Sequence, residues 1–161
     1  TIPATGTGSS TTWATKNLLQ IVADLLQMIS GLRTQSGGNI NPKETKLTFV
    51  TGTSVVDRLA TISDLGYSVL NWLNTNYPNI RIVSAPELDA ANSGANVAYL
   101  FADAVKDTST DGGQTFAQIV PMKFMVLGVQ QVVKGYEESY SNATAGSLCT
   151  RPWAVYRITG C

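Results

Sequence analysis

The sequence contains no histidine. That removes the commonest metal ligand and the only side chain whose unperturbed charge changes near neutrality, so histidine-based catalytic triads and zinc sites are excluded. Charge is scarce as well. Only 14% of the 161 residues are Asp, Glu, Lys or Arg, against a usual share of about 25%. The 11 basic and 11 acidic residues cancel. Without the Lys/Arg excess that phosphate contacts demand, no specific nucleic-acid recognition is expected. The two cysteines, Cys149 and Cys161, form no CxxC pair and are too few for a disulfide scaffold, which favours a reducing compartment. No apolar run approaches the roughly 18 residues of a membrane span, so no membrane partner is expected. The opening TIPATGTGSST has neither the cationic nor the hydrophobic region of a signal peptide.

What the sequence does hold is enough apolar residue, 43% of a 17.1 kDa chain, for one sizeable core. The rest is dominated by uncharged polar residues: 19 Thr, 13 Ser, 10 Asn and 7 Gln. Such a surface does little to keep copies apart and costs little to desolvate against other protein. Association of the chain with copies of itself is therefore the first expectation.

Residues 1–11 have almost nothing to bury and read as a flexible lead-in. From Thr12 the pattern turns helical: Leu18, Val22, Leu25, Ile29 and Leu32 recur at helical spacing, with Leu19, Ile21, Leu26 and Met28 widening the face. Asn17, Gln20, Asp24, Gln27 and Thr34 form the opposite stripe. This predicts a helix over 12–36, with Thr12 as N-cap and Gly37-Gly38 as its stop. So broad a face calls for a sheet or a second helix against it.

Residues 46–50 (KLTFV) read as a strand, and Ser54-Val55-Val56-Asp57 as a capping box opening a helix over 55–62. A second short helix is expected over 67–76, ended by Tyr77-Pro78. Residues 80–85 (IRIVSA) and 97–102 (VAYLFA) read as strands, the latter buried on both faces. Residues 107–114 (DTSTDGGQ) form the clearest turn. Beyond it the signals are all extended, over 116–120, 124–127, 129–140 and 153–159, with Pro121 and Pro152 at strand starts or edges. One long helix, then small mixed elements, then a run of strands is an α+β order rather than repeated βαβ units.

Motifs that carry chemistry are missing. There is no GxGxxG, GxxxxGK[ST], HExxH or GxSxG. Gly6-Thr7-Gly8 follows no strand and reads as linker. Asp103, Asp107 and Asp111 stand four apart near a Gly-rich turn, but they lack the alternate-position ligands and closing Glu of a calcium loop. Glu137-Glu138 are neighbours in a strand, so their carboxylates point to opposite faces and cannot converge on one substrate atom. Asn142-Ala143-Thr144 matches a glycosylation acceptor only formally, since no secretory signal is expected. Trp13, Trp72 and Trp153 could anchor contacts between copies, though core packing explains such residues equally well. No catalytic, cofactor-binding or metal-binding residue is assigned, and no cofactor is expected.

Three stretches carry a family resemblance. TTWATKNLLQIVADLLQMI is similar to the spine helix of tailed-phage major capsid proteins of the Hong Kong 97 type. KLTFVTGTSVVDRLAT with SVLNWLNTNYPNIRIVSAPEL resembles the axial domain in one branch of those proteins. FAQIVPMKFMVLGVQQVVKGYEESYSNATAGSLCTRPWAVYRITG resembles the long strands that return through a Thr-Ala-Gly segment, here Thr144-Ala145-Gly146, to an Arg-Pro-aromatic strand, here Arg151-Pro152-Trp153.

The resemblance implies a Hong Kong 97-like α+β fold, with a long spine helix packed on extended strands plus a small axial domain. Residues 12–46 and 115–161 would form the peripheral domain and 47–114 the axial domain. It implies a structural, non-enzymatic subunit of a phage or prophage icosahedral capsid. Its partners would be copies of itself in pentamers and hexamers, and it would assemble in the bacterial cytoplasm into a virion. Such subunits are generally much longer, so a fragment lacking the N-terminal arm and extended loop is expected. The rival expectation is a monomeric α+β ligand-binding or adaptor domain. An enzyme would instead need a deep pocket with converging polar groups, near Asp103 or Glu137.

Overall fold

A computed structural model describes residues 1–63, 66–106, 110 and 112–161. The chain divides into two compact units, Thr1–Thr115 with Arg151–Cys161, and Phe116–Thr150.

The first unit is built on a four-stranded mixed sheet of order β2-β1-β3-β8, with β1 at Leu47–Thr51, β2 at Ile80–Ser84, β3 at Val97–Ala102 and β8 at Val155–Thr159. β1 and β2 are parallel, and helices α2 (Thr53–Ala60) and α3 (Val69–Asn76) fall between them in the chain; the other two pairings are antiparallel. β1 and β3 hold the centre of the sheet, each paired on both edges. Leu47, Phe49, Val97, Leu100 and Ala102 are buried, while Tyr99 and Phe101 are half-buried. One face of VAYLFA is therefore fully covered and the other only partly.

Helix α1 runs Leu18–Gln35 and packs on β3 and β8. Ile21, Leu25, Met28, Ile29 and Leu32 enter the core. Gly31 sits so close to the Tyr156 ring of β8 that any side chain there would collide with it. The stop is as expected and has a physical form: Gly37 N–H donates to Thr34 O and Gly38 N–H to Arg33 O. With both glycines at positive φ, this is a Schellman arrangement that satisfies the last carbonyls.

The start of α1 differs from the expectation. Thr12 is not the cap; a single 3₁₀ turn covers Trp13–Thr15, and the helix begins after Asn17. Asn17 Oδ1 accepts from Gln20 N–H at 2.9 Å while Gln20 Oε1 accepts from Asn17 N–H at 2.9 Å, a reciprocal capping box. The polar stripe is also wrong at Asp24, which is buried. Its carboxylate accepts from Trp13 Nε1 at 2.9 Å and from Lys16 Nζ at 2.6 Å, and Lys16 Nζ also donates to Pro3 O at 2.7 Å. Two buried opposite charges and an indole N–H satisfy one another, which is the condition under which charge is tolerated in a core.

That clasp also corrects the reading of residues 1–11. Ile2 is buried and its N–H donates to Thr159 O at 3.3 Å, Pro3 O accepts from Lys16 Nζ, and Thr5 O accepts from Gln20 Nε2 at 2.6 Å, so the start of the segment is tied to β8 and to the beginning of α1. The predicted capping box at Ser54 is replaced as well. α2 starts at Thr53 after Gly52 with no cap of its own, and Asp89, from beyond β2, takes the place. It accepts from Thr53 N–H (3.0 Å), Thr53 Oγ1 (2.6 Å) and Ser54 Oγ (2.7 Å). These hydroxyl bonds, Thr53 first, hold the Asp89 carboxyl below its usual value. Gly52 has to be glycine because a β-carbon would strike that carboxylate.

The expected split of 12–46 with 115–161 from 47–114 does not coincide with the compact units. α1 shares its core with β3 and β8 in the first unit, and residues 116–150 form the second.

Candidate assembly surface

Phe116–Thr150 folds as a ribbon. β4 (Phe116–Ile119) pairs antiparallel with β7 (Gly146–Cys149), and β5 (Met122–Val132) with β6 (Gly135–Ala143). Pro121 falls between β4 and β5, as a residue that cannot donate to a ladder should. Ala145 N–H and Thr144 Oγ1 both donate to Ile119 O, tying the return leg to the outward one. The expected strand over 129–140 is interrupted: Val133-Lys134 form the hairpin turn, and Gly135 supplies a φ of 145°.

Cross-strand partners share a face, so the register sorts the hairpin's side chains. Val126 opposite Tyr140, Val129 opposite Glu138 and Gln131 opposite Tyr136 occupy one face. Phe124 joins them by stacking on Tyr140 at 5.3 Å between ring centroids. The other face carries Met122, Met125 and Val132 among Gly128, Ser139 and Ser141. Irregular register between Met122 and Met125 and between Val126 and Gly128 bends the ladder. Every residue of β5 is exposed, Phe124 at 66% and Leu127 at 63%. A two-stranded ribbon has no second layer to bury such side chains and is marginal by itself. Exposed apolar side chains gathered in this way mark a candidate surface for contact with other protein. Composition had suggested association; the register shows where the apolar groups are concentrated.

The other candidates named from the sequence do not form a chemical site. Glu137 and Glu138 fall on opposite faces of the ribbon, both exposed, and Tyr140 OH donates to Glu138, which raises the phenol's pKa. Asp103 accepts from the Thr48 hydroxyl at 2.5 Å and borders an open depression of about 560 Å³ with Glu44, Lys46 and Lys106. Asp107 and Asp111 lie outside the described residues. Among the described residues no group of three His, Cys, Asp or Glu could hold a metal. Trp13 is a core residue, and Trp72 and Trp153 pack against the core half-buried, so none of the three is a free anchor. Both cysteines are free thiols; burial pushes the Cys161 thiol up to about 11. Asn142 and Thr144 are both exposed on the ribbon. No helix among the described residues is long and apolar enough to cross a membrane.

One feature of the first unit escaped the sequence reading: an open apolar groove of about 610 Å³ where the start of α1 meets the end of α2 and the start of α3. Leu18, Leu19, Val22, Ile62, Tyr67 and Trp72 line it. Leu19 was expected on the apolar face of the long helix and Ile62 at the end of the helix over 55–62, and the tertiary arrangement turns both outward.

The sequence matches the family model described as Pa193 gp26 major capsid protein over residues 1–160. Among solved structures, the chain is similar to the capsid of Myoviridae phage XM1, with a TM-score of 0.66 and 18% identity, covering 93% of this chain and 49% of that one. It is also similar to the virus-like particle from Pyrococcus furiosus, with a TM-score of 0.53 and 13% identity, covering 91% of this chain and 52% of that one. The chain thus spans about half the length of those capsid chains. No curated protein matches the sequence. At such identities the two structures speak for the fold, an α+β arrangement of the Hong Kong 97 type.

Proposed function

The chain belongs to the Pa193 gp26 major capsid protein family, and from that premise we propose that it is part of a structural subunit of a phage or prophage shell. It would act by binding copies of itself and not by chemistry. The observation that carries this reading is the ribbon of Phe116–Thr150, whose apolar residues stand exposed along both faces of β5. A shell subunit must offer several faces to its neighbours, and modest contacts repeated around closed rings of five or six add up to a stable assembly. Few surface charges lower the desolvation cost of each contact. We assign residues 12–46 and 115–161 to the peripheral part of the subunit and 47–114 to the axial part, on the resemblance of the long helix and the C-terminal strands. The assembled shell would be a virion component, put together in the bacterial cytoplasm.

The test is electron microscopy of the full-length subunit after purification. Closed shells or capsomer rings are expected. A uniformly monomeric protein at all concentrations would overturn the reading in favour of a monomeric ligand-binding or adaptor domain.

A further inference from the structure

The most exposed apolar side chains gather at two places. Among the described residues the five most exposed large hydrophobics are Val133, Leu19, Tyr136, Tyr67 and Ile62, the least exposed of them at 68%. Val133 and Tyr136 form the tip of the β5–β6 hairpin, and Leu19, Tyr67 and Ile62 the mouth of the α1–α2–α3 groove. One place is a protrusion and the other a hollow.

We propose that the hairpin tip of one copy seats in the groove of a second copy. The inference rests on the reading of the chain as a shell subunit and names one contact by which copies would meet. Four observations support this occupant over a charged ligand or a peptide of mixed character. The groove is lined mainly by apolar groups, and among the described residues its one charged lining residue, Arg58, already donates to the carbonyls of Trp13 (3.2 Å) and Lys16 (2.7 Å). The tip is apolar too, with Val132, Val133 and Tyr136 around the single charge of Lys134. The groove's 610 Å³ lies within the roughly 300–1,000 Å³ that enclose a small apolar group. Finally, tip and groove are different surfaces, so their contact is head-to-tail, the kind that propagates from copy to copy and closes rings. A tip of a few side chains covers far less than the about 1,200 Å² of a stable isolated pair. The contact should therefore fail between two free copies and hold when repeated around a ring.

A charge swap in the full-length subunit tests it. Leu19→Asp puts a carboxylate at the groove mouth, Val133→Lys an ammonium at the tip, and the double variant brings the two together. Both positions are exposed, so folding should persist, and thermal unfolding of the unassembled subunit checks that it does. Each single variant should lower the assembled fraction by about tenfold at matched concentration, and the double variant should regain most of it. Singles that assemble like the parent, or a double no better than the worse single, would overturn the contact while leaving the shell reading intact. A Leu19→Asp subunit that melts several degrees lower, without rescue by Val133→Lys, would show that the subunit's own chain fills the groove, and would also overturn it. If the unsubstituted subunit never assembles, the shell reading fails first and this inference with it.

Discussion

The two compact units spend their apolar residues in opposite ways. In the first, α1 lays Ile21, Leu25, Met28 and Leu32 into the core it shares with β3 and β8, and even its buried charges are neutralised inside the Lys16–Asp24–Trp13 clasp. In the second, β5 shows Phe124, Met125, Val126, Leu127 and Val129 to solvent. Residue types alone would rank VAYLFA and MKFMVLGV as similar strands, yet one is central and the other exposed along its whole length. Burial is set by whether the fold supplies a second layer, and a unit without one keeps its apolar surface for a partner.

The comparison can be broken from the first unit. Asp24→Ala strands the Lys16 ammonium in the core, and removing one member of a buried pair costs about 3–5 kcal/mol. The denaturant midpoint should fall accordingly; a loss below about 1 kcal/mol would mean that the clasp is not closed in solution. It can be sharpened from the second. Leu127→Ser removes a side chain that packs on little within the chain, so stability should change by no more than about 0.5 kcal/mol. Amides of β5 and β6 should exchange with solvent far faster than those of β3 in the unassembled protein, and slow down on assembly. A ribbon as protected as β3 before assembly would contradict the division.

A smaller effect separates local from distant capping. The Thr53 and Ser54 hydroxyl bonds hold the Asp89 carboxyl below the ordinary carboxylate value, so its contribution is present above the unfolded-state pKa, about 3.9, and is lost as pH falls through the lower folded value. Asp89→Asn should reduce stability at pH 6 and flatten its decline between pH 5 and 3, as read from urea midpoints. An unchanged pH slope would mean that Thr53 and Ser54 do not hold the carboxylate.

These contrasts mark how far residues could be read. The 3.6 period of Leu18 to Leu32 gave α1, and the Asn17-x-x-Gln20 spacing that caps it was present in the sequence, overlooked beside the run of threonines. The Asp89 cap could not be found that way, because its partners stand 35 and 36 residues off. Nor could the burial of Asp24, since a carboxylate on a helix is a surface residue until something specific encloses it. The hairpin's apolar run was legible as strand; that nothing in the chain's own sheet covers it was not.

Local order followed from the sequence by itself: helix, mixed strands and ribbon, the glycine stop of α1, and the poverty of charge that suits association. Those features depend on neighbours a few residues apart, whose dihedral and hydrogen-bond preferences act before any fold exists. Only the tertiary structure decided that Lys16 and Asp24 go inside, that Leu19 and Ile62 face out, and that β5 is left uncovered. Each of these is a question of which distant surface arrives to exclude water, and no local pattern encodes that arrival.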